Sequence, residues 1–357
     1  MQPSPAPNPA PLSRDAVLWA FRMFIGREPA DEAEIAFHQQ NADLDTLRRS
    51  FATTQEFTDF QRRAKPEAYC APLFLLQPPA DKAIPWRFQP PQLTAPVSQL
   101  CTQDQFEEPI FAQLCAMLDI IPNPHRKIWE FCYVVAVMQA AGLLRPGIRA
   151  LGFGVGQEQI PALLARAGAT VVATDAPDTV VHGQGWSSTG QHAAELKALD
   201  YPSILPFEEL QKRVAFRPVD MNAIPDDLRD FDVCWSSCAF EHLGSIALGL
   251  RFFERSLETL KPGGIAVHTT EFNLSSNDET METPGLSVYR RRDIETLILE
   301  LTEAGHEVAT FNTHPGDREM DAHIDLPPYA LPHLKLQLER YTTTSFGLVI
   351  RKGGAKA

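Results

Sequence analysis

The segment Ile148–Asp175, IRALGFGVGQEQIPALLARAGATVVATD, decides the fold. Two apolar runs of strand length flank a stretch with helical spacing, and the first run ends in Gly152, Gly154 and Gly156. Glycine lacks a Cβ, so it permits a sharp turn and lets a ligand approach the backbone at the start of the helix. The order strand, glycine turn, helix, strand is typical of the first half of a parallel α/β sheet.

Asp175 ends the second predicted strand. Ligands of open α/β sheets bind beyond the carboxyl ends of the strands, where a carboxylate can accept hydrogen bonds from both hydroxyls of a ribose. Together with the glycine turn, Asp175 therefore predicts a site for an adenosine-containing cofactor. The dinucleotide fingerprint GxGxxG is incomplete, because Gln157 and Gln159 stand where its third glycine would fall.

Strands and helices alternate through the rest of the chain. The predicted strands include VAFRPVD, FDVCWSSC, GIAVHTTEF, HEVATFN and SFGLVIRK, and the predicted helices include Gln159–Ala167 and Arg291–Ala304. Two helices, Glu108–Leu118 and Lys127–Leu144, precede the first strand. This pattern predicts an α/β fold, a Rossmann-like seven-stranded mostly parallel sheet with helices on both faces, preceded by a small all-α N-terminal module.

Three further segments follow the glycine turn in order: RPVDMNAIP (217–225), FDVCWSSCAFEHLG (231–244) and LETLKPGGIAVHTTEF (257–272). With the GxGxG turn they resemble the motifs of the class I S-adenosylmethionine-dependent methyltransferases, over roughly Ile148–Lys352. That family usually has an acidic residue two positions before the first glycine, where this chain has Ala150. The resemblance implies S-adenosyl-L-methionine as cofactor and S-adenosyl-L-homocysteine as product.

The same resemblance assigns cofactor contacts to individual residues. Asp220 would meet the adenine amino group and Met221 would pack on the adenine ring. The sequence leaves other roles open, because aspartate is common in turns and methionine readily fills gaps in a core. The candidate cofactor-binding residues are Gly152, Gly154, Gly156, Asp175, Asp220, Met221 and Ser236.

Catalytic candidates lie at the ends of the fourth and fifth strands. Methyl transfer to a hydroxyl needs an aligned acceptor and a general base, for which His242 is the first candidate and Glu241, His268 and Glu271 are the others. Strand alternation predicts that His268 and Glu271 point to opposite faces of the sheet. Glu241, Glu271 and Asp325 could offer oxygen ligands to magnesium, but their spacing has no recognised signature and we assign no metal.

Two loops are further candidates. The polar segment GQGWSSTGQH (183–192) is predicted to cover the cofactor, with Trp186 over the adenine and Gln191 or His192 near the acceptor, and a solvated loop is the alternative. The segment DLPPY (325–329) resembles the DPPY motif of amino-directed DNA methyltransferases, but it has one residue too many and follows the sixth strand. We interpret it as a loop with Tyr329 as a substrate-facing candidate.

The N-terminal third has a different character. FRMFIGREPADEAEIAFHQQNADLDTLRRSFATTQEF (21–57) resembles a short bacterial helical domain of unknown function, which suggests a contact with a protein or a glycan. The predicted organisation is a disordered leader (1–13), a small helical module (14–65), a proline-rich linker (66–107) and a methyltransferase domain with N-terminal capping helices (108–357).

Composition excludes several classes of protein. The formal net charge of −13 without a basic stripe argues against nucleic acid as a partner. No apolar run approaches the roughly 20 residues that span a bilayer. The six cysteines lack metal-binding or disulfide spacing, which suits the reducing cytoplasm.

The sequence therefore predicts a cytoplasmic methyltransferase that acts on a hydroxyl of a carbohydrate or another small polar acceptor. One alternative is an NAD(P)-dependent oxidoreductase, which Gln157 disfavours. The other is a Rossmann-like binding protein without catalysis, because a fold alone does not establish a reaction.

Overall fold

The computed structural model describes residues 11–63, 68–177 and 193–354. The chain divides into two compact units. One contains the residues up to Ala68 together with Leu326–Ala330, and the other contains Tyr69–Asp325 together with Leu331–Ala357. A small helical region thus precedes the α/β unit, as the sequence predicts.

The first unit consists of short helices around a small apolar core. Asp31 and Asp43 start two of the helices by accepting hydrogen bonds from the backbone N–H groups of Glu34 and Thr46, at 2.9 and 2.7 Å. The helices are α1 (Arg14–Ala20), which continues as a π-helical turn (Phe21–Ile25), α2 (Glu32–Gln39), α3 (Leu44–Ala52) and α4 (Gln55–Arg63). The core residues are Val17, Ala20, Phe21, Ile25, Ile35, Leu47 and Phe51.

The second unit is built on one large sheet, which has eleven strands within the described residues. Its strands are β1 (Trp86–Arg87), β2 (Ser98–Leu100), β3 (Arg149–Gly152), β4 (Thr170–Asp175), β5 (Val214–Pro218), β6 (Phe231–Ser237), β7 (Leu260–Asn273), β10 (Glu307–Val308), β11 (Phe311–Asn312), β12 (Lys335–Leu338) and β13 (Tyr341–Arg351). A separate hairpin joins β8 (Glu282–Thr283) to β9 (Leu286–Ser287).

The strand order places a crevice between β3 and β6. The order is β1-β11-β2-β13-β7-β6-β3-β4-β5, and β3 to β7 all run parallel to their neighbours among these five. From β3 the chain adds β4 and β5 on one side, then returns to add β6 and β7 on the other. In such sheets the ligand site lies at the carboxyl ends of the two strands where the order reverses.

Helices cover both faces of this sheet. They are α5 (Leu73–Leu76), α6 (Gln103–Glu107), α7 (Pro109–Leu118), α8 (Arg126–Ala140), α9 (Ile160–Arg166), α10 (Phe207–Leu210), α11 (Ile246–Glu258), α12 (Arg291–Glu303) and α13 (Glu319–Ala322). The α8 face packs α7, α8 and α9 against Val233 and Trp235 of β6, whereas the α11 face packs α11 and α12 against Cys234. Alternate residues of a central strand thus enter different cores.

The structure differs from the predicted sheet at one edge. Residues 68–107 belong in part to the sheet rather than to a surface linker, because β2 pairs with β13 and β1 pairs with β11. Leu75, Ile84, Leu93 and Leu100 from this segment are buried in the two cores of the sheet. Proline interrupts helices but leaves room for short strands between prolines, which is why the segment adds strands beyond the predicted seven.

The described helices include none with the length and apolar character needed to cross a membrane. All six cysteines are free thiols, and Cys115 and Cys132 lie with their sulfur atoms 3.6 Å apart in the core.

Candidate functional site

The glycine turn lies at the carboxyl end of β3, beside the end of β6. A Cβ at Gly152 would lie 2.5 Å from the Trp235 ring, so this glycine is required by packing inside the protein. Gly154 has a left-handed φ of 56°, and a Cβ there would lie 2.8 Å from the Ala239 Cβ. The turn therefore fits closely against the chain that leaves β6, and it needs glycine for both conformation and space.

Asp175 lies beside the glycine turn, at the end of β4. Its Oδ2 accepts hydrogen bonds from the N–H groups of Gly156, at 3.1 Å, and Ala193, at 2.9 Å, and its Oδ1 accepts one from Ala176 at 2.7 Å. The side chain is 7% exposed. The structure thus brings together the glycine turn and the carboxylate that the sequence assigned to one cofactor site.

Met221 also lies at the glycine turn. Its sulfur is 3.5 Å from the position that a Cβ of Gly154 would occupy, and the residue is buried. Asp220 precedes it and accepts a hydrogen bond at 2.8 Å from the backbone N–H of Asn222, so it also shapes the loop after β5. Met221 therefore lies beside the glycine turn, and Asp220 precedes it in the loop after β5.

A group of six polar side chains, which we name the buried charged cluster, lies at the carboxyl ends of β6 and β7 on the α8 face. Its three carboxylates are buried, whereas its two cations and its thiol are partly exposed. Cys238 donates its S–H to Glu130 at 2.9 Å, and its own backbone N–H is held by the Thr269 hydroxyl at 3.0 Å. The members of the cluster are Arg126, Lys127, Glu130, Cys238, Glu241 and Glu271.

Two cations and two carboxylates in this cluster form ion pairs. Arg126 lies 2.7 Å from Glu271 and 3.5 Å from Glu130, and Lys127 lies 3.2 Å from Glu130. Burial alone would raise the pKa of Glu130, but Lys127 and Arg126 outweigh it and lower that pKa. Burial raises the pKa of Glu271, although Arg126 and the Thr343 hydroxyl oppose the shift. These pairs leave Glu241 as the third carboxyl of the cluster.

Glu241 is 2% exposed and accepts a hydrogen bond from the Thr270 hydroxyl at 3.3 Å. Burial raises its pKa to about 7, although a backbone N–H and Cys238 stabilise the charged form. Ligand atoms of Cys238, Glu241 and Glu271 lie within 4.8 Å of one another. Because Arg126 already supplies a cation to Glu271, we assign no metal to this group.

His242 follows in a short 3₁₀ turn, Phe240–His242. Its Nδ1 lies 2.6 Å from the carbonyl oxygen of Gly285, which fixes Nδ1 as the protonated nitrogen and Nε2 as the acceptor nitrogen. Burial lowers the pKa of His242, against the opposing effect of that carbonyl. The ring is therefore neutral at pH 7 and has the tautomer of a general base.

The structure places Ser236 and His268 elsewhere, in the core of the α11 face. The Ser236 hydroxyl and the His268 Nδ1 are 2.8 Å apart and both residues are fully buried, with Phe252 and Phe253 packed against the imidazole. Burial lowers the pKa of His268 to about 3. Glu271 is three residues further along β7 and therefore faces α8, as strand alternation predicts. We do not include Ser236 or His268 in the proposed site.

The remaining candidates from the sequence have separate positions. Asp325 pairs with His333, with the carboxylate 2.5 Å from Nδ1, and Cys238 rather than Asp325 accompanies Glu241 and Glu271. Tyr329 is 44% exposed. The predicted cover over the cofactor, with Trp186, Gln191 and His192, lies outside the described residues.

Sequence reasoning missed the three cluster residues on α8 and Cys238. The stretch HRKIWE (125–130) places Arg126 and Lys127 four and three residues before Glu130 at the start of an otherwise apolar helix. Such spacing brings opposite charges to one side of a helix. The signal that could have identified them is the occurrence of charged residues in the first turns of α8, a helix whose remaining residues are mostly apolar and buried.

No family model and no curated protein matches the chain. Among solved structures, the [4+2]-cyclase SpnF is 20% identical with a TM-score of 0.32, covering 49% of this chain and only 60% of that protein. Magnesium protoporphyrin IX methyltransferase from Synechocystis PCC 6803, with bound SAH, is 15% identical with a TM-score of 0.36, covering 62% and 80%. A SAM-dependent methyltransferase from Aquifex aeolicus is 18% identical with a TM-score of 0.32, covering 60% and 87%.

Proposed function

We propose that this protein is an S-adenosyl-L-methionine-dependent methyltransferase that methylates a hydroxyl of a carbohydrate or another small polar acceptor. The observation that carries the proposal is the Asp175 carboxylate held 3.1 Å from the backbone nitrogen of Gly156, beside the crevice where the strand order reverses. A carboxylate beside a glycine turn at this edge of the sheet supports a site for an adenosine-containing cofactor.

Each residue of the crevice has a role in this proposal. Asp175 accepts the two ribose hydroxyls and gives up its hydrogen bond with the Gly156 N–H, and Gly154 and Gly156 let the cofactor approach the main chain. Asp220 accepts the adenine amino group, and Met221 packs on the ring from its position beside the turn. Gln157 occupies the place of the glycine that a dinucleotide would need, which favours the smaller cofactor.

The proposed chemistry needs a base and a fixed acceptor. When bound, the cofactor supplies an electrophilic methyl group. His242 accepts the acceptor's proton at Nε2, because its Nδ1–H is donated to the Gly285 carbonyl. Glu271, fixed by Arg126 and Thr343, receives a hydrogen bond from the acceptor. The ionic and hydroxyl groups that line the end of β7 suit a polar acceptor rather than an apolar one.

The proposal has two further parts, which concern the helical unit and the cellular compartment. For the helical unit, in which Trp19 and Phe37 are 58% and 68% exposed, we propose a contact with a glycan or a protein. The free thiols support a reducing compartment such as the cytoplasm.

Calorimetry separates this proposal from its main alternative. The full chain is titrated with S-adenosyl-L-homocysteine and, separately, with NAD and NADP. We expect binding of the first and no binding of the dinucleotides; binding of a dinucleotide instead would overturn the proposal. The acceptor is then sought by incubation with methyl-labelled donor and a panel of nucleotide sugars, lipid-linked glycans and small metabolites, with mass spectrometry to detect one added methyl.

A further inference from the structure

Glu241 is the carboxyl that the buried charged cluster leaves unbalanced. Arg126 and Lys127 are matched by Glu130 and Glu271, and in the described part of the chain no ion pair includes Glu241. An ionised Glu241 would therefore add a net negative charge to a buried site, which is costly unless a cation compensates it. Burial accordingly raises the pKa of Glu241 to about 7.

Several other groups act on this carboxyl. Lys127 favours its charged form and Glu130 opposes it. Tyr289 is buried near it, and that burial raises the pKa of the phenol, so Tyr289 stays neutral. The titratable and charged groups that act on Glu241 are Arg126, Lys127 and Glu130 from α8, Cys238 from the chain just before its turn, Glu271 from β7, and Tyr289. His242 follows Glu241 directly in the chain.

The backbone connects Glu241 directly to the glycine turn. Ala239, two residues earlier, would be 2.8 Å from a Cβ at Gly154, so the chain leaving β6 touches the turn that the proposed function assigns to the cofactor. Glu241 follows two residues after Ala239 in the same short segment and lies among the groups at the ends of β6 and β7. A charge that enters the crevice therefore acts on Glu241 through a buried, weakly screened environment.

We propose that Glu241 makes this site select a cationic methyl donor over its neutral product, because its carboxyl ionises when a positive charge occupies the crevice. The inference rests on the proposed function. S-adenosyl-L-methionine carries a sulfonium cation and S-adenosyl-L-homocysteine carries a neutral thioether, while the rest of the two molecules is the same. With the donor, ionised Glu241 restores neutrality by releasing one proton to solvent. With the product, it keeps its proton and contributes no such attraction.

Over one turnover the charges balance. The acceptor oxygen forms a bond to the methyl carbon as its proton passes to His242. The sulfur–methyl bond breaks and its electron pair stays on sulfur. The site then holds a neutral thioether beside an ionised Glu241, which regains a proton, and the product has lost the attraction that held the donor. Glu241 thus favours exchange of product for donor.

The test measures protons released on binding, so it needs no acceptor. The full chain is titrated at pH 7 with S-adenosyl-L-methionine or S-adenosyl-L-homocysteine in buffers of different ionisation enthalpy, with a chelator present. We expect the donor to release about half a proton and the product none, because a group with a pKa near 7 is half protonated at that pH. An opposite charge lowers a carboxyl pKa by 1–3 units, so donor preference should rise about tenfold from pH 6 to pH 8.

Two matched variants assign the proton. Glu241→Gln should abolish the difference in proton release and make the donor preference independent of pH. Glu158→Gln should preserve both, although burial also raises the pKa of Glu158 to about 7 and it follows the glycine turn. Infrared spectra of the unaltered chain provide a second measurement, in which the donor and not the product should reduce the absorption of a protonated carboxyl.

The possible failures are distinguishable. If donor and product release equal amounts of protons, or the release persists in Glu241→Gln, the inference is overturned and the proposed function stands. If the release disappears only in Glu158→Gln, the linkage belongs to that carboxyl and the inference is again overturned. If neither donor nor product binds, the proposed function itself fails.

Discussion

Replacement of Asp175 tests the cofactor site most directly. In the structure its two oxygens accept three backbone N–H groups, from Gly156, Ala176 and Ala193. In the proposed complex they accept both ribose hydroxyls. A carboxylate has about four acceptor sites, so accepting both hydroxyls displaces at least one backbone N–H and adds about one hydrogen bond in total. A hydrogen bond to a charged group contributes about 1.5–3 kcal/mol, so Asp175→Ala should cost about that much binding free energy. At about 1.4 kcal/mol per tenfold change, the variant should bind about 10–10²-fold more weakly.

The assay is calorimetric titration with S-adenosyl-L-homocysteine, together with urea unfolding of the same samples. Asp232→Ala is the matched control, because Asp232 also accepts a backbone N–H, from Arg149 at 2.8 Å, but at the amino end of the sheet. Both variants should lower the free energy of unfolding, by about 1–3 kcal/mol for the groups left unpaired, and only Asp175→Ala should lose affinity. Unchanged affinity in Asp175→Ala, or equal losses in both variants, would refute the assignment.

Three further changes test the surrounding structure. In urea unfolding, Gly154→Ala should lower the free energy of unfolding by about 2–4 kcal/mol, because the site combines a left-handed φ with a close contact. Gly263→Ala is the control: its site also has a positive φ, 81°, but has open space around the added Cβ, so the loss should be about 1–2 kcal/mol. The pKa of His268 is lowered to about 3 in the folded chain, so below about pH 6.5 the unfolded chain binds a proton there that the folded chain does not. The free energy of unfolding should therefore fall by up to about 1.4 kcal/mol for each pH unit that the pH is lowered from 6.5 toward 3. His268→Asn should lack that part of the pH dependence. Lys335 is fully buried 3.5 Å from Asp321, so Lys335→Met should cost about 3–5 kcal/mol, part of which the double variant with Asp321→Asn should restore; an additive loss would contradict the pairing.

Much of the architecture could be read from local pattern. The predicted strand TVVATD has the bounds that the structure gives β4, Thr170–Asp175, and the helix predicted at Arg291–Ala304 ends one residue later than observed. These elements have strong periodicity and clear stop signals, so local sequence is sufficient. The strands in the segment 66–107 could not be predicted in the same way, because β1 and β2 are short and form only by pairing with β11 and β13, which are far away in the sequence.

The sequence by itself determined the alternation of strands and helices, the glycine turn and the carboxylate at the end of β4. Each of these depends on residues that are close together in the chain, or on the rule that parallel strands end at the same edge of a sheet. Only the tertiary structure decided which side chains share the site. Because side chains alternate along β7, His268 lies in the core of the α11 face, whereas Glu271 lies on the other face and pairs with Arg126. Only the packing of α8 on the sheet brings Glu130 to Cys238. The balance of charge around Glu241 is likewise a property of that packing, because burial and its partners, not its position in the chain, set the cost of ionising it.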